Sequence, residues 1–294
     1  MNVQQQEQQP DPKLTPANLS TPETARDDFM RQGYALVPAV LDQDTVLQLV
    51  RLIDRHSGGD GASGKRKPSK KQSRHTVIRR LFELDPALCL QVFKNSTVLP
   101  IVQRLLGCCG SARGKGDSCL TTHLIHNNAY RIDPGQRGQA PTWHTDDAPT
   151  FLTHDGSPLP DSVRMAPLVL TCMYFLNDLN TPGHGGTRVI AGSHRFGKAC
   201  SNDVVQAEGR PISYAQCPAG SVLIISSHTW HCGAPVSADC PASRYVFQAT
   251  YGRRLIGHKH DSIMNYQLPK AVEKALDTEE DRKLIGFLKG GAYS

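Results

Sequence analysis

Apolar positions along the chain change their spacing once. Between residues 21 and 56 they recur at helical intervals. From about residue 120 they come in short alternating or continuous runs, separated by Gly, Pro, Asn and Asp. A Thr21-Pro22 start and acidic first-turn residues predict a short helix that runs to about Gln32 and stops at Gly33. "YALVPAV" is then extended, because Pro38 disfavours the helical region for Val37. A second helix follows Asp42, with Val46, Leu47, Leu49, Val50 and Ile53 as its apolar stripe. Residues 76–106 read as two more short helices, broken near Pro86 and Pro100. Strands are predicted from "LTTHLIHNNAYRI" (120–132), "LVLTCMYFL" (168–176), "GTRVIAG" (186–192), "SVLIISS" (221–227) and "RYVFQATYG" (244–252). The stretch 269–288 is helical again. Helices thus flank a β-core at about 118–255, and short strands with turn signals between them predict a sandwich or barrel.

Composition changes this picture little. The 294 residues, 38% hydrophobic and 20% charged, suit a globular chain whose ordered part is one domain over 21–294. The first 20 residues are polar and Pro-containing, which predicts a disordered tail, and they hold no apolar segment of the secretory kind. No run approaches the length of a membrane span, so a cytoplasmic protein is expected. The nine cysteines are irregularly spaced with no C-x-x-C pair, which predicts free thiols in a reducing compartment.

Charge adds one feature. Of the net +6, much sits in "GGDGASGKRKPSKKQSR" (58–74), which predicts a flexible basic loop over 58–75. The run holds no aromatic residue, so nucleic acid is not an expected partner. A small-molecule substrate is expected, and an anionic one would suit the charge. The sequence does not specify an oligomeric state.

The candidate chemistry lies in "PTWHTDDAPTF" (141–151). At the end of a strand His144 and Asp146 share a face, so both side chains can converge on one ion. A third ligand is available downstream in "AGSVLIISSHTWHCGAP", from either His228 or His231. Two histidines and one carboxylate leave open positions on an octahedral metal, the arrangement used by non-haem Fe(II). Arg244 opens the next strand, where a guanidinium can pair with a carboxylate in two parallel hydrogen bonds.

These blocks, with "DDFMRQGYALVPAVLD" near the start and "NDLNTPGHGGTRVIAGSHRFG" in the middle, resemble the phytanoyl-CoA dioxygenase family over about 25–255. The resemblance implies a double-stranded β-helix, a cupin-like jelly-roll, using Fe(II) with 2-oxoglutarate and O2 as cosubstrates. It implies that His144, Asp146 and His231 hold the metal; His231 is preferred to His228 because Trp230-His231 matches the family's Trp-His. It implies that Arg244 pairs with the distal carboxylate of 2-oxoglutarate, that Thr187 aims a hydroxyl at the cosubstrate, and that Asn128 reaches its C1 end. The chain departs from the family pattern at Ala191, Ser221 and Val236, and in a longer spacing from His231 to Arg244. Related halogenases lack the ligand carboxylate, so the presence of Asp146 favours hydroxylation or a related oxidation. Two other classes remain open from the residues alone. One is a non-catalytic jelly-roll binding protein. The other is a zinc hydrolase built on the same three ligands.

Around the site, Trp143 and Trp230 read as packing residues, His194 as a turn residue and Cys232 as a small buried hydrophobe. His123, His126, His154 and His184 read as surface groups or as groups behind the ligands. Arg188 and Asp147 are candidates for substrate contact.

Overall fold

The computed structural model describes residues 14–57, 75–107, 122–136, 142–147, 150–181, 183–200, 211–259 and 266–287. Its strands are β1 (Leu14–Pro16), β2 (Tyr34–Val37), β3 (His75–Arg79), β4 (Thr122–Ile132), β5 (Val169–Phe175), β6 (Thr187–Ile190), β7 (Ile212–Tyr214), β8 (Ser221–Ser226), β9 (His231–Gly233) and β10 (Arg244–Arg253). Its helices are α1 (Ala25–Gln32), α2 (Gln43–Ser57), α3 (Pro86–Phe93), α4 (Val98–Leu106), α5 (Lys270–Lys274) and α6 (Glu279–Ile285). Six strands form one sheet in the order β2-β8-β5-β10-β4-β3, and four form a second in the order β1-β7-β6-β9. Apart from the parallel β1–β7 pair, the ladders are antiparallel. Neither sheet closes on itself, and the two face each other as a jelly-roll.

Strand alternation gives the larger sheet two different faces. On one face Ala35, Val37, Leu124, Ala129, Leu170, Cys172, Tyr174, Val222, Ile224, Phe247, Ala249 and Tyr251 join residues of all six helices in a single apolar core. On the other, Tyr34, Leu36, Phe175, Leu223, Ile225 and Val246 meet Val189 of the smaller sheet. That second face also carries the polar residues described below.

Three expectations needed correction. Residues 76–79, placed in a helix from the sequence, pair with β4 as part of the edge strand β3. Their alternation is short enough for either reading, and the partner decides it. Pro86 and Pro100 do not break helices. Each lies in a first turn, where a missing N–H costs nothing, and Asp85 caps α3 by accepting from Leu88 N at 3.1 Å. Leu14–Pro16, within the expected tail, pairs with Ile212–Tyr214. Of the histidines read as surface groups or as groups behind the ligands, His123 and His184 are buried, which leaves the second alternative for them. The basic run at 58–74, residues 1–13 and Cys108, Cys109 and Cys119 lie outside the described residues. The described cysteines are free, and Cys232 is buried as expected. Among the described residues no helix is long and apolar enough to cross a membrane.

Candidate metal centre

Three side chains from two separate segments, 142–147 and β9, meet between the sheets. One ligand atom from each of His144, Asp146 and His231 lies within 4.8 Å of the others. His144 is not in a regular strand. It makes a single antiparallel bridge to His231, with His144 N to His231 O and the reverse bond both at 3.0 Å. Asp146 follows in a bend held by its N–H to Ser227 O at 3.0 Å. The shared face expected of His-x-Asp is therefore supplied by pairing with β9.

Hydrogen bonds orient each ligand. His144 Nδ1 lies 3.0 Å from Thr142 O, and His231 Nδ1 lies 2.8 Å from Thr229 O. A carbonyl accepts only, so each Nδ1 carries the proton and each Nε2 keeps its lone pair. The rings sit 4.2 Å apart, and His231 Nε2 is 3.6 Å from Asp146 Oδ1. The other carboxylate oxygen accepts from Thr171 Oγ1 at 2.8 Å, and Thr171 in turn meets Thr250 Oγ1 at 3.2 Å.

Charge follows from this packing. Burial and the neighbouring His231 push the His144 imidazole below its ordinary pKa. Burial works the other way on Asp146. It is outweighed by His231, Thr171 and His144, which hold the carboxyl below the usual carboxylate range. For His231, burial favours the neutral ring, but the charge and hydrogen bond of Asp146 raise it overall. The set is a carboxylate and two imidazoles whose Nδ1 atoms face carbonyls, which leaves Nε2 as the donor atom of each ring, and this is the donor set of a divalent first-row metal.

The loop carrying His231 is braced from the start of the chain. Gly33 ends α1 with φ +85°, and a Cβ there would fall 2.5 Å from both His194 Nδ1 and Thr229 Oγ1. The close approach lets Thr229 Oγ1 donate to Gly33 O at 2.7 Å, and Thr229 is the residue whose carbonyl orients His231. Ser193 accepts from Trp230 N at 2.8 Å. These bonds give the Gly33-Tyr34 and Gly192-Ser193-His194 blocks a shared structural purpose.

Arg244 faces the same cleft from β10 and is 5% exposed. Its Nη1 donates to His184 O at 3.1 Å, and among the described residues no carboxylate pairs with it. Burial lowers its pKa to about 10, which still leaves it charged at neutral pH. Gly185 makes room for it, since a Cβ there would lie 2.9 Å from Nη1 and 2.4 Å from Pro235 O. Thr187 is buried, with Oγ1 3.6 Å from Met173 Sδ across the cleft. Asn128 is buried on β4 and donates to Tyr130 Oη at 3.1 Å, while its Oδ1 has no hydrogen-bond partner among the described residues. Tyr130 donates to Gln248 Oε1, and burial together with the nearby Asp146 charge raises the Tyr130 phenol to about 12, against the bond from Asn128.

Other candidates fall elsewhere. His228 is not part of the triad. Asp147 pairs with Lys259. Trp230 packs edge-to-face on Phe196 at 5.0 Å, and Trp143 lies against the same cluster. His194 sits in the turn Ser193–Arg195, and His154 is exposed. Arg188 is on the face of β6 away from His231, opposite Cys232. Sequence reasoning missed Thr171, Tyr130, Gln248 and Asn177. For Thr171 a signal existed: one aliphatic hydroxyl inside the apolar run "LVLTCMYFL".

Residues 29–244 match the family model of phytanoyl-CoA dioxygenase (PhyH). The chain belongs to the phytanoyl-CoA dioxygenase family. No curated protein sequence matches it. Solved structures share the family fold at low identity. HygX from Streptomyces hygroscopicus, with nickel and 2-oxoglutarate bound, aligns with a TM-score of 0.58 and 15% identity over 83% of this chain and 91% of its own. The epimerase SnoN, in complex with Fe3+, alpha ketoglutarate and nogalamycin RO, aligns at 0.56 and 16% over 88% and 90%. The carbocyclase SnoK from nogalamycin biosynthesis aligns at 0.53 and 15% over 81% and 88%.

Proposed function

We propose that the protein is an Fe(II)- and 2-oxoglutarate-dependent dioxygenase that oxidises an unactivated carbon of a small organic substrate, in the first instance by hydroxylation. One observation carries the reading. A carboxylate and two imidazoles whose Nδ1 atoms face backbone carbonyls share a cleft with a buried guanidinium that has no carboxylate of its own among the described residues. A buried charge without a counter-charge is costly, and a dicarboxylic cosubstrate satisfies it. A zinc hydrolase has no use for such a group.

His144, Asp146 and His231 would hold Fe(II). Arg244 would take the distal carboxylate of 2-oxoglutarate, with Thr187 beside it and Asn128 Oδ1 facing the region of its C1 end. Bound together, metal, cosubstrate and O2 supply oxidative decarboxylation to succinate and CO2 and the oxidising power to attack a C–H bond. The protein's own residues set geometry. The Thr142 and Thr229 carbonyls fix the ring tautomers, and Thr171 fixes the carboxylate. Two structural neighbours are named an epimerase and a carbocyclase, which supports keeping ring closure and epimerisation beside hydroxylation as readings for this chain. A substrate with an anionic group suits the chain's net charge of +6.

The test begins without oxygen. Fe(II) with 2-oxoglutarate should give the weak green-region absorption of a chelated 2-oxo acid, and succinate should form slowly once air enters. His144→Ala and Asp146→Ala should each lower succinate formation by about a thousandfold or more, whereas His228→Ala should keep most of it. Equal loss in the His228 variant would overturn the choice of His231, and absence of both signals would overturn the reading itself.

A further inference from the structure

β5 ends at Phe175, opposite Val246, yet the ladder with β10 does not stop there. Leu176 N donates to Tyr245 O at 3.1 Å. The next step is made by a side chain. Asn177 Nδ2 donates to Ser243 O at 3.0 Å, and Asn177 Oδ1 accepts from Tyr245 N at 2.6 Å. Those two groups belong to the peptide bonds on either side of Arg244. A carboxamide has one face that donates and one that accepts, as a peptide does, so it can stand in for a strand that has already turned away.

The same loop holds the other end of the arginine. Asp178 O contacts His184 Nδ1 at 3.0 Å, His184 O accepts from Arg244 Nη1, and Gly185 leaves the space the guanidinium occupies. On either side of Arg244, Ser243 Oγ donates to Asp133 at 2.7 Å and Tyr245 Oη donates to Asp54 at 2.7 Å. Asn177, Asp178, His184 and Gly185 therefore fix both the backbone and the head group of one buried side chain. The loop then leads directly into Thr187 on the cleft face of β6.

We infer that Asn177 is a positioning residue for Arg244, and that its carboxamide sets the depth at which the guanidinium meets the distal carboxylate of the cosubstrate. The inference rests on the proposed cosubstrate role of Arg244. Misplacing a buried bidentate partner by about an ångström weakens only the ligand that uses it, so the effect should be selective.

The experiment uses the full chain loaded with Ni(II), which binds without turnover, and titrates it with 2-oxoglutarate and with 2-oxopentanoate, which lacks the distal carboxylate. Asn177→Ala should weaken 2-oxoglutarate about tenfold or more. It should leave Ni(II) affinity and 2-oxopentanoate affinity within about threefold of wild type. Asn177→Asp keeps the acceptor and loses the donor, so it should fall between the two, and it serves where the alanine variant fails to fold. Arg244→Leu is the control. If it weakens 2-oxoglutarate and neither Asn177 variant does, the inference is wrong and the cosubstrate reading stands. If Arg244→Leu has no effect, both fall. Parallel loss of metal and of both oxo acids in the Asn177 variants would mean general disruption, which also overturns the inference.

Discussion

β10 presents two different surfaces along ten residues. Phe247, Ala249 and Tyr251 point to the helices and are fully buried among apolar neighbours. Arg244, Gln248 and Thr250 point to the cleft, where polar contacts engage each of them. Backbone pairing is shared by both faces. The difference lies in what a substitution removes. On the helix face contact area is lost, and stability should follow. On the cleft face direction is lost, and function should follow while the fold persists.

The largest effect should come from the helix face. Phe247 packs against Phe93 at 5.7 Å and Tyr174 at 5.9 Å between ring centroids. Phe247→Ala removes the ring and leaves a cavity, at a cost of about 3–5 kcal/mol. Chemical denaturation should read that loss, while the fraction still folded should bind Ni(II) with wild-type affinity. If metal affinity falls in the folded fraction, the two faces are not independent.

Legibility divides along the same line. Apolar runs such as "LVLTCMYFL" and "SVLIISS" identified β5 and β8 because burial on both faces leaves a dense apolar signature. Strands of three residues, β1, β7 and β9, carry too little pattern to be read, and partners far away in the chain create them. The candidate triplet His144, Asp146 and His231 was readable as residue types at ordered positions, and the fold brings the three together. The bonds that aim it were not, since Thr171 and Gly33 reach the site from distant segments and the Thr229 carbonyl, two residues before His231, is held in place through Gly33, so local spacing does not report which group each one meets. Residues 76–79 misled for the converse reason: an edge strand beside helices takes its identity from β4.

A smaller effect should come from the cleft face. Thr171→Val keeps shape and strand preference but removes the hydroxyl that donates to Asp146 Oδ2. Loss of a bond that orients a ligand lowers metal affinity or activity by about 10–100-fold, and the melting temperature should stay close to wild type. Thr171→Ser should recover most of the loss, since it restores the donor. Failure of the serine rescue would show that the methyl group, not the bond, is what the site requires, and would move Thr171 to the packing side of the comparison.

The smallest effect tests whether polar groups on the helix side follow the cleft rule or the core rule. Asp281 is 2% exposed at the start of α6, where it closes a capping box with Thr278 and meets Lys94 Nζ at 2.7 Å. Burial alone would raise its pKa, but the bonds from Lys94 and Thr278 outweigh it and hold the carboxyl below its ordinary value. A carboxyl depressed in the folded state stabilises fully above its unfolded pKa and loses that contribution as pH falls through the folded one. Asp281→Asn should therefore cost about 1–2 kcal/mol near neutrality, the scale of a lost cap and a half-exposed ion pair. The gap between variant and wild type should narrow as pH drops below the unfolded carboxyl range. Urea midpoints at two pH values decide it. A gap that stays constant into acid would mean that the aspartate acts by shape rather than charge, as its apolar neighbours do. A gap that closes would show that this polar group is set by direction, like the ligands across the sheet, with helix stability as the property it controls.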